Sequence, residues 1–134
     1  MTVQLLNPAG LGADVPYRHV AVSHGTRQVH VAGQIGAGSP DAPGDLADQV
    51  AEALRNVGRG LAGAGATFAD VVRLTFYVTQ WEGSEQLGEF MAGVDRVRGE
   101  LGMGEALPPA SLIGVQILFE PHVRVEVEAT AVLD

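Results

Sequence analysis

The chain has 134 residues, 46% of them apolar, and a formal net charge of −8. That length buries a single core, no apolar run approaches the roughly eighteen residues a membrane span needs, and eight scattered basic residues are too few for a phosphate-binding surface. With no Cys and no Lys, disulfides, thiolate nucleophiles and lysine Schiff bases are excluded as well.

The opening residues Met1-Thr2-Val3-Gln4-Leu5-Leu6-Asn7-Pro8 lack the basic and then long apolar segments of a secretory signal, so a cytoplasmic location is expected. Residues 20–23 and 28–33, either side of His24-Gly25-Thr26, read as two strands of a β-hairpin. Gly and Pro make residues 36–44 a loop. Asp45 is then a good N-cap, and Leu46, Val50, Leu54, Val57 and Leu61 recur at helical spacing up to Ala64-Gly65, where Gly65 supplies a left-handed C-terminal cap. Thr67-Phe68-Ala69-Asp70 reads as a one-turn capped segment leading into a β-branched and aromatic strand over 71–78. Ser84 is placed to cap a second helix with the apolar stripe Leu87, Phe90, Met91, Val94, Val97 and Leu101, which Gly102 and Gly104 break.

The last quarter reads as two strands, over 110–119 and 123–132, joined by a short turn at Glu120-Pro121-His122. In the second, Val123, Val125, Val127, Ala129 and Ala131 share one face, while Arg124, Glu126, Glu128 and Thr130 share the other. The order β-β-α-β-α-β-β predicts one α+β domain over residues 1–134, with two helices on one face of a mixed sheet. The first closing strand is apolar in both registers, Ile113, Val115, Ile117 and Phe119 in one and Leu112, Gly114 and Leu118 in the other. A sheet apolar on both faces needs cover for the second, which predicts an oligomer.

Several of these stretches together resemble the RidA/YjgF family: Pro16-Tyr17, Ala32-Gly33-Gln34-Ile35, the helix from Gln49 to Asn56, Ala64-Gly65-Ala66 with Asp70-Val71-Val72, Thr75-Phe76-Tyr77-Val78, Pro109-Ala110-Ser111, and Val125-Glu126-Val127-Glu128-Ala129. The match runs in order from residue 16 to residue 132. It implies a chorismate-mutase-like protomer, a homotrimer with its sheets around the threefold axis, and a small-molecule ligand cleft between neighbouring protomers. It also implies hydrolysis of reactive enamines and imines formed from amino acids, with no metal or organic cofactor. In that chemistry a carboxylate activates water for attack on the imine carbon, and an arginine grips the substrate carboxylate. The carboxylate corresponds to Glu126, and Tyr17, Ala32, Gly33, Ser111 and Ile113 correspond to the substrate-binding wall.

The arginine has no counterpart. Deaminases of the family read Pro-Ala-Arg-Ser where this chain reads Pro109-Ala110-Ser111-Leu112. A gap-free alignment sets Ser111 at the arginine position, and alignment on Gly114-Val115 sets Ala110 there. A hydroxyl in place of a bidentate guanidinium forgoes about 2–4 kcal/mol of carboxylate binding. Arg98 and Arg124 are the candidates for a replacement cation. Ala32 stands where the deaminases often carry Ser, and Ile113 or Leu112 where Cys is common, so the implied cleft is less polar than theirs.

Read from pattern alone, Glu126 is a carboxylate of a solvated sheet face, paired with Arg124 or with the neighbours of Glu128. The resemblance makes it a general base and leaves Glu128 as a structural or interface charge. Tyr17 reads from pattern as a half-buried packing residue. His19, His24, His30 and His122 have no ligand spacing, so no metal site is expected, and the Gly-rich loop lacks the Lys-Ser/Thr of a phosphate-binding loop. Three functions follow, in order: a trimeric imine or enamine deaminase, a non-catalytic trimer that binds a small metabolite in the same cleft, and the endoribonuclease label this family has often carried. The acidic balance opposes the last.

Overall fold

The computed structural model describes residues 2–134. They form β1 (Val3–Leu6), β2 (Val20–Ser23), β3 (Arg27–Ile35), α1 (Leu46–Gly63), β4 (Val71–Thr79), α2 (Leu87–Arg98), β5 (Ala110–Val115) and β6 (Val125–Leu133). The main sheet has the order β3-β6-β4-β5, with β4 and β5 parallel and the other neighbours antiparallel. Helix α1 packs over β3 and β6 and against α2, giving the expected α+β arrangement. No helix is long and apolar enough to cross a membrane among the described residues.

The first helix forms for local reasons and is held by tertiary ones. Asp45 accepts from the Asp48 N–H at 2.8 Å, and the Asp48 side chain accepts from the Asp45 N–H at 3.1 Å, a reciprocal cap on the free N-terminal donors. At the other end Gly65, at φ 77°, lets Ala66 N–H reach Leu61 O and Gly65 N–H reach Ala62 O. Between these caps Leu46, Val50, Leu54, Val57 and Leu61 are fully buried on Leu74, Phe76, Val78, Val125, Val127 and Ala131. The two helices approach closely at Gly93, where a Cβ would stand 2.6 Å from Ala47 O. The capped segment at Thr67 forms as expected, with Thr67 and Asp70 capping each other.

Four expectations need correction. Residues 20–33 make no hairpin: β2 pairs with β1, a strand the sequence reading did not foresee, and β3 pairs with β6. Ser84 does not cap the second helix; residues 84–86 form a 3₁₀ turn, and Leu87 is exposed while Leu101 lies beyond the helix end. The two closing strands are not neighbours, because β4 lies between them, and β5 stops at Val115, which pairs with Thr79, the last residue of β4. With no strand left to pair with, Ile117 and Phe119 fall outside the sheet and are 58% and 81% exposed. The sheet face away from the helices is therefore not apolar throughout. Its centre is polar, carrying Arg73, Thr75, Tyr77, Glu126, Glu128 and Thr130; Ile113 on β5 is exposed at its edge, and the exposed Ile117 and Phe119 belong to the segment that follows the strand.

The alternation of β6 is as expected: Val123, Val125, Val127, Ala129 and Ala131 are buried and the residues between Val123 and Ala131 are half-exposed. Its start is fixed by Gln49, a fully buried polar side chain on α1. The Gln49 amide donates to His122 O at 3.0 Å and Gly44 O at 3.2 Å, and its oxygen accepts from Arg124 N at 2.7 Å. Gln49→Ala opens a cavity and strands these backbone groups, so a loss of about 2–4 kcal/mol in unfolding free energy is expected from urea denaturation.

Candidate functional site

Strand register lays out the open face in rows. In one row Glu126 lies opposite Ile35 on β3 and Tyr77 on β4, and Tyr77 lies opposite Ile113 on β5. In the next, Glu128 lies opposite Thr75, and Thr75 opposite Ser111. In the third, Thr130 lies opposite His30 and Arg73. Glu126, Ser111 and Ile113 thus share this face, with Ala32 and Gly33 at an irregularity in β3 between Val31 and Gln34.

Tyr17 lies elsewhere in the chain. A bridge to Leu107 holds it beside β5, where it lines a small apolar hollow of about 90 Å³ with Phe76, Leu87, Met91 and Leu112. Ser111 reaches the rim of that hollow, and the Tyr17 ring meets His19 edge-on at 5.1 Å. Glu126 and Ser111 are separated by β4 and lie one row apart, two strand spacings across and two residues along, or about 12 Å. One chain therefore brings Glu126 together with Gly33, and Ser111 together with Tyr17, but does not join the two groups.

Glu126 sits against the backbone of Gly33: a Cβ there would stand 2.5 Å from Glu126 Oε2. Glycine at this position leaves the space that the carboxylate occupies. Glu126 takes part in none of the five ion pairs among the described residues. The pairing with Arg124 suggested by pattern does not form, because Arg124 Nε donates to Thr79 O at 3.2 Å. A half-exposed carboxylate without a cation is able to accept a proton from water.

Glu128 Oε1 accepts from the Tyr77 hydroxyl at 2.7 Å. That bond, which only the protonated phenol donates, holds the Tyr77 pKa above its ordinary 10.0, with partial burial and the charges of Glu128 and Glu126 acting in the same direction. Arg98 is engaged by Asp95 at 2.9 Å and by Gly104 O at 2.6 Å, away from Ser111. The cation that does reach Ser111 is Arg73, whose Nη2 donates to Ser111 Oγ. Among the described residues no three His, Asp or Glu side chains gather as a metal site. The 440 Å³ hollow bordered by Leu5, Val71 and Met103 holds no titratable side chain.

The family model described as Endoribonuclease L-PSP matches residues 8–133. The chain belongs to this family, the Rid/YjgF proteins. A Rid-family protein of unknown function from Yersinia pestis, YyfB, is 34% identical, with 99% of this chain and 100% of that one covered at a TM-score of 0.83. A YjgF/YER057c/UK114 family member from Mycobacterium tuberculosis is 30% identical, with 98% and 100% covered at a TM-score of 0.62. TdcF of E. coli, solved with bound serine, is 25% identical, with 96% and 94% covered at a TM-score of 0.66. No curated protein matches the chain.

For this Rid/YjgF chain, the sequence reading passed over Arg73, Thr75 and Tyr77 as site residues. Their i, i+2, i+4 spacing along β4 was the available signal, since a strand buried on one face by Leu74, Phe76 and Val78 must present them on the other. In a Tyr17→Phe background, absorbance titration should place the Tyr77 transition above 10.0, and Glu128→Gln should lower it. Because the folded pKa is raised, the associated stability is present below pH 10.0 and lost as pH climbs through the folded value.

Proposed function

We propose that this Rid/YjgF protein hydrolyses small imines or enamines, with Glu126 as general base, in a cleft that a neighbouring copy completes in a homotrimer. The observation that carries the reading is the seat of Glu126, free of any cation and held in a recess that Gly33 leaves open. Water resting on the carboxylate gives it a proton as the oxygen attacks the imine carbon, and Glu126 passes that proton to the nitrogen to give the carbinolamine. The carbinolamine then collapses to C=O as its hydroxyl proton passes through Glu126 to the nitrogen and ammonia leaves. One C=N bond is exchanged for C=O, with no change of oxidation state.

The separation of Glu126 from Ser111 and Tyr17 within one chain supports a cleft between copies, since a second β5 edge would bring the missing wall. The exposed Ile113, Ile117 and Phe119 supply apolar area for such a contact. The relative solved with bound serine supports a small ligand derived from an amino acid. A second reading, a trimer that binds such a metabolite without turning it over, is favoured by Ser111 or Ala110, neither of them a cation, at the position of the family arginine. Net charge −8 weighs against RNA as substrate.

Ammonia release from 2-iminopropionate generated in situ separates these readings. The wild type should be active, with kcat lowered about 100-fold or more by Glu126→Gln. Gly33→Ala, which pushes the Glu126 carboxylate from its seat, should lower kcat about 10-fold with little change in stability. Saturable binding without ammonia release would favour the second reading. Sedimentation should give three times the chain mass of 13.9 kDa, and a monomer at micromolar concentration would overturn the shared cleft.

A further inference from the structure

We infer that Arg73 and the Ser111 hydroxyl form a carboxylate-binding site on the open face, so that β4 supplies the cation the chain lacks at position 111. The role of this site in turnover rests on the function proposed above; its binding of carboxylates does not.

Arg73 leaves β4 opposite Thr130 and reaches diagonally to Ser111, the partner of Thr75 on β5. Its Nη2 donates to Ser111 Oγ, which engages one of the five guanidinium N–H groups. Because Ser111 Oγ accepts there, its own O–H is free to donate. Arg55, Arg59, Arg96 and Arg98 are all tied to carboxylates, whereas Arg73 is in none of the five ion pairs. Glu128 borders the same groove and accepts from Tyr77, and it forms no ion pair with Arg73.

The groove encloses about 230 Å³ between His30, Arg73, Thr75, Glu128 and Thr130. That space suits an acid of a few carbons. Ser111 stands just outside this groove, beside Thr75 on β5. A planar carboxylate laid against the β5 side of Arg73 receives paired N–H bonds and a third bond from Ser111, an arrangement a neutral amide does not match. The negative Glu128 in the same groove disfavours dianions such as phosphate monoesters and suits a cationic nitrogen beside the carboxylate. The ligand class is therefore a small 2-oxo, 2-imino or 2-amino monocarboxylic acid. Four residues of β6, about 13 Å of strand, separate the Arg73 row from Glu126, so an acid held by one copy is presented to the Glu126 of a neighbouring copy.

The test is a calorimetric titration of the full chain with pyruvate and with its neutral counterpart pyruvamide. Wild type should bind pyruvate saturably and at least about 10-fold more tightly than pyruvamide. Arg73→Ala should weaken pyruvate about 10-fold or more and leave pyruvamide unchanged, with Arg73→Lys intermediate and Ser111→Ala weaker by about 3-fold. If Arg73→Ala loses its native circular dichroism, Arg73→Lys and Ser111→Ala carry the comparison. Equal affinity of wild type for the two ligands, or pyruvate affinity indifferent to these substitutions, would overturn the site. Glu126→Gln should keep pyruvate affinity. Should that variant also keep full ammonia release while Arg73→Ala loses pyruvate, the general-base assignment fails and the carboxylate site stands.

Discussion

The layout of the open face depends on where β6 begins, and one buried amide decides that. Gln49 meets the backbone of residues 122 and 124 from the helix side, at 3.0 and 2.7 Å. Thr79 holds the same segment from β4, its N–H on Arg124 O at 2.9 Å and its hydroxyl on Val123 O at 3.3 Å. A slip of one residue would turn Glu126 and Glu128 into the core and Val125 and Val127 out of it. An apolar side chain in place of Gln49 would pack against either register, whereas an amide with fixed donors and acceptors is satisfied in one.

From that register follows a face of two characters. Its centre is a polar field from Arg73 to Glu126, where hydroxyls and charges are joined pairwise, Arg73 to Ser111 and Tyr77 to Glu128. Beside it, Ile113 at the β5 edge and Ile117 and Phe119 in the segment that follows are apolar and exposed. Dry packing over the polar centre would strand charges, while contact along the apolar end leaves that centre wet.

Much of the fold was legible because its signals are local. The α1 stripe, its Asp45 and Gly65 caps, the Thr67 turn and the alternation of β6 each lie within a short window, and each appears in the structure. The failures are matters of pairing. The sequence neighbours β2 and β3, and likewise β5 and β6, were joined because adjacency in sequence usually means adjacency in a sheet, and here β1 and β4 take those places. The open face shows the same division. That Glu126 lies opposite the core was readable from the alternation within one strand, but Arg73 reaches Ser111 only through the parallel register of β4 and β5, which no spacing along the chain encodes.

The position of β6 also orders how the molecule can be built. It is the last strand in sequence, yet it stands between β3 and β4, pairing Val29 with Ala131 and Leu74 with Ala129. Before it arrives, β3 has no neighbour in the main sheet and rests chiefly against α1. Such long-range pairing is slow to form, and during synthesis it waits until residues 125–133 have left the ribosome. The strand that closes the gap between β3 and β4 is also the one that brings the glutamates with it.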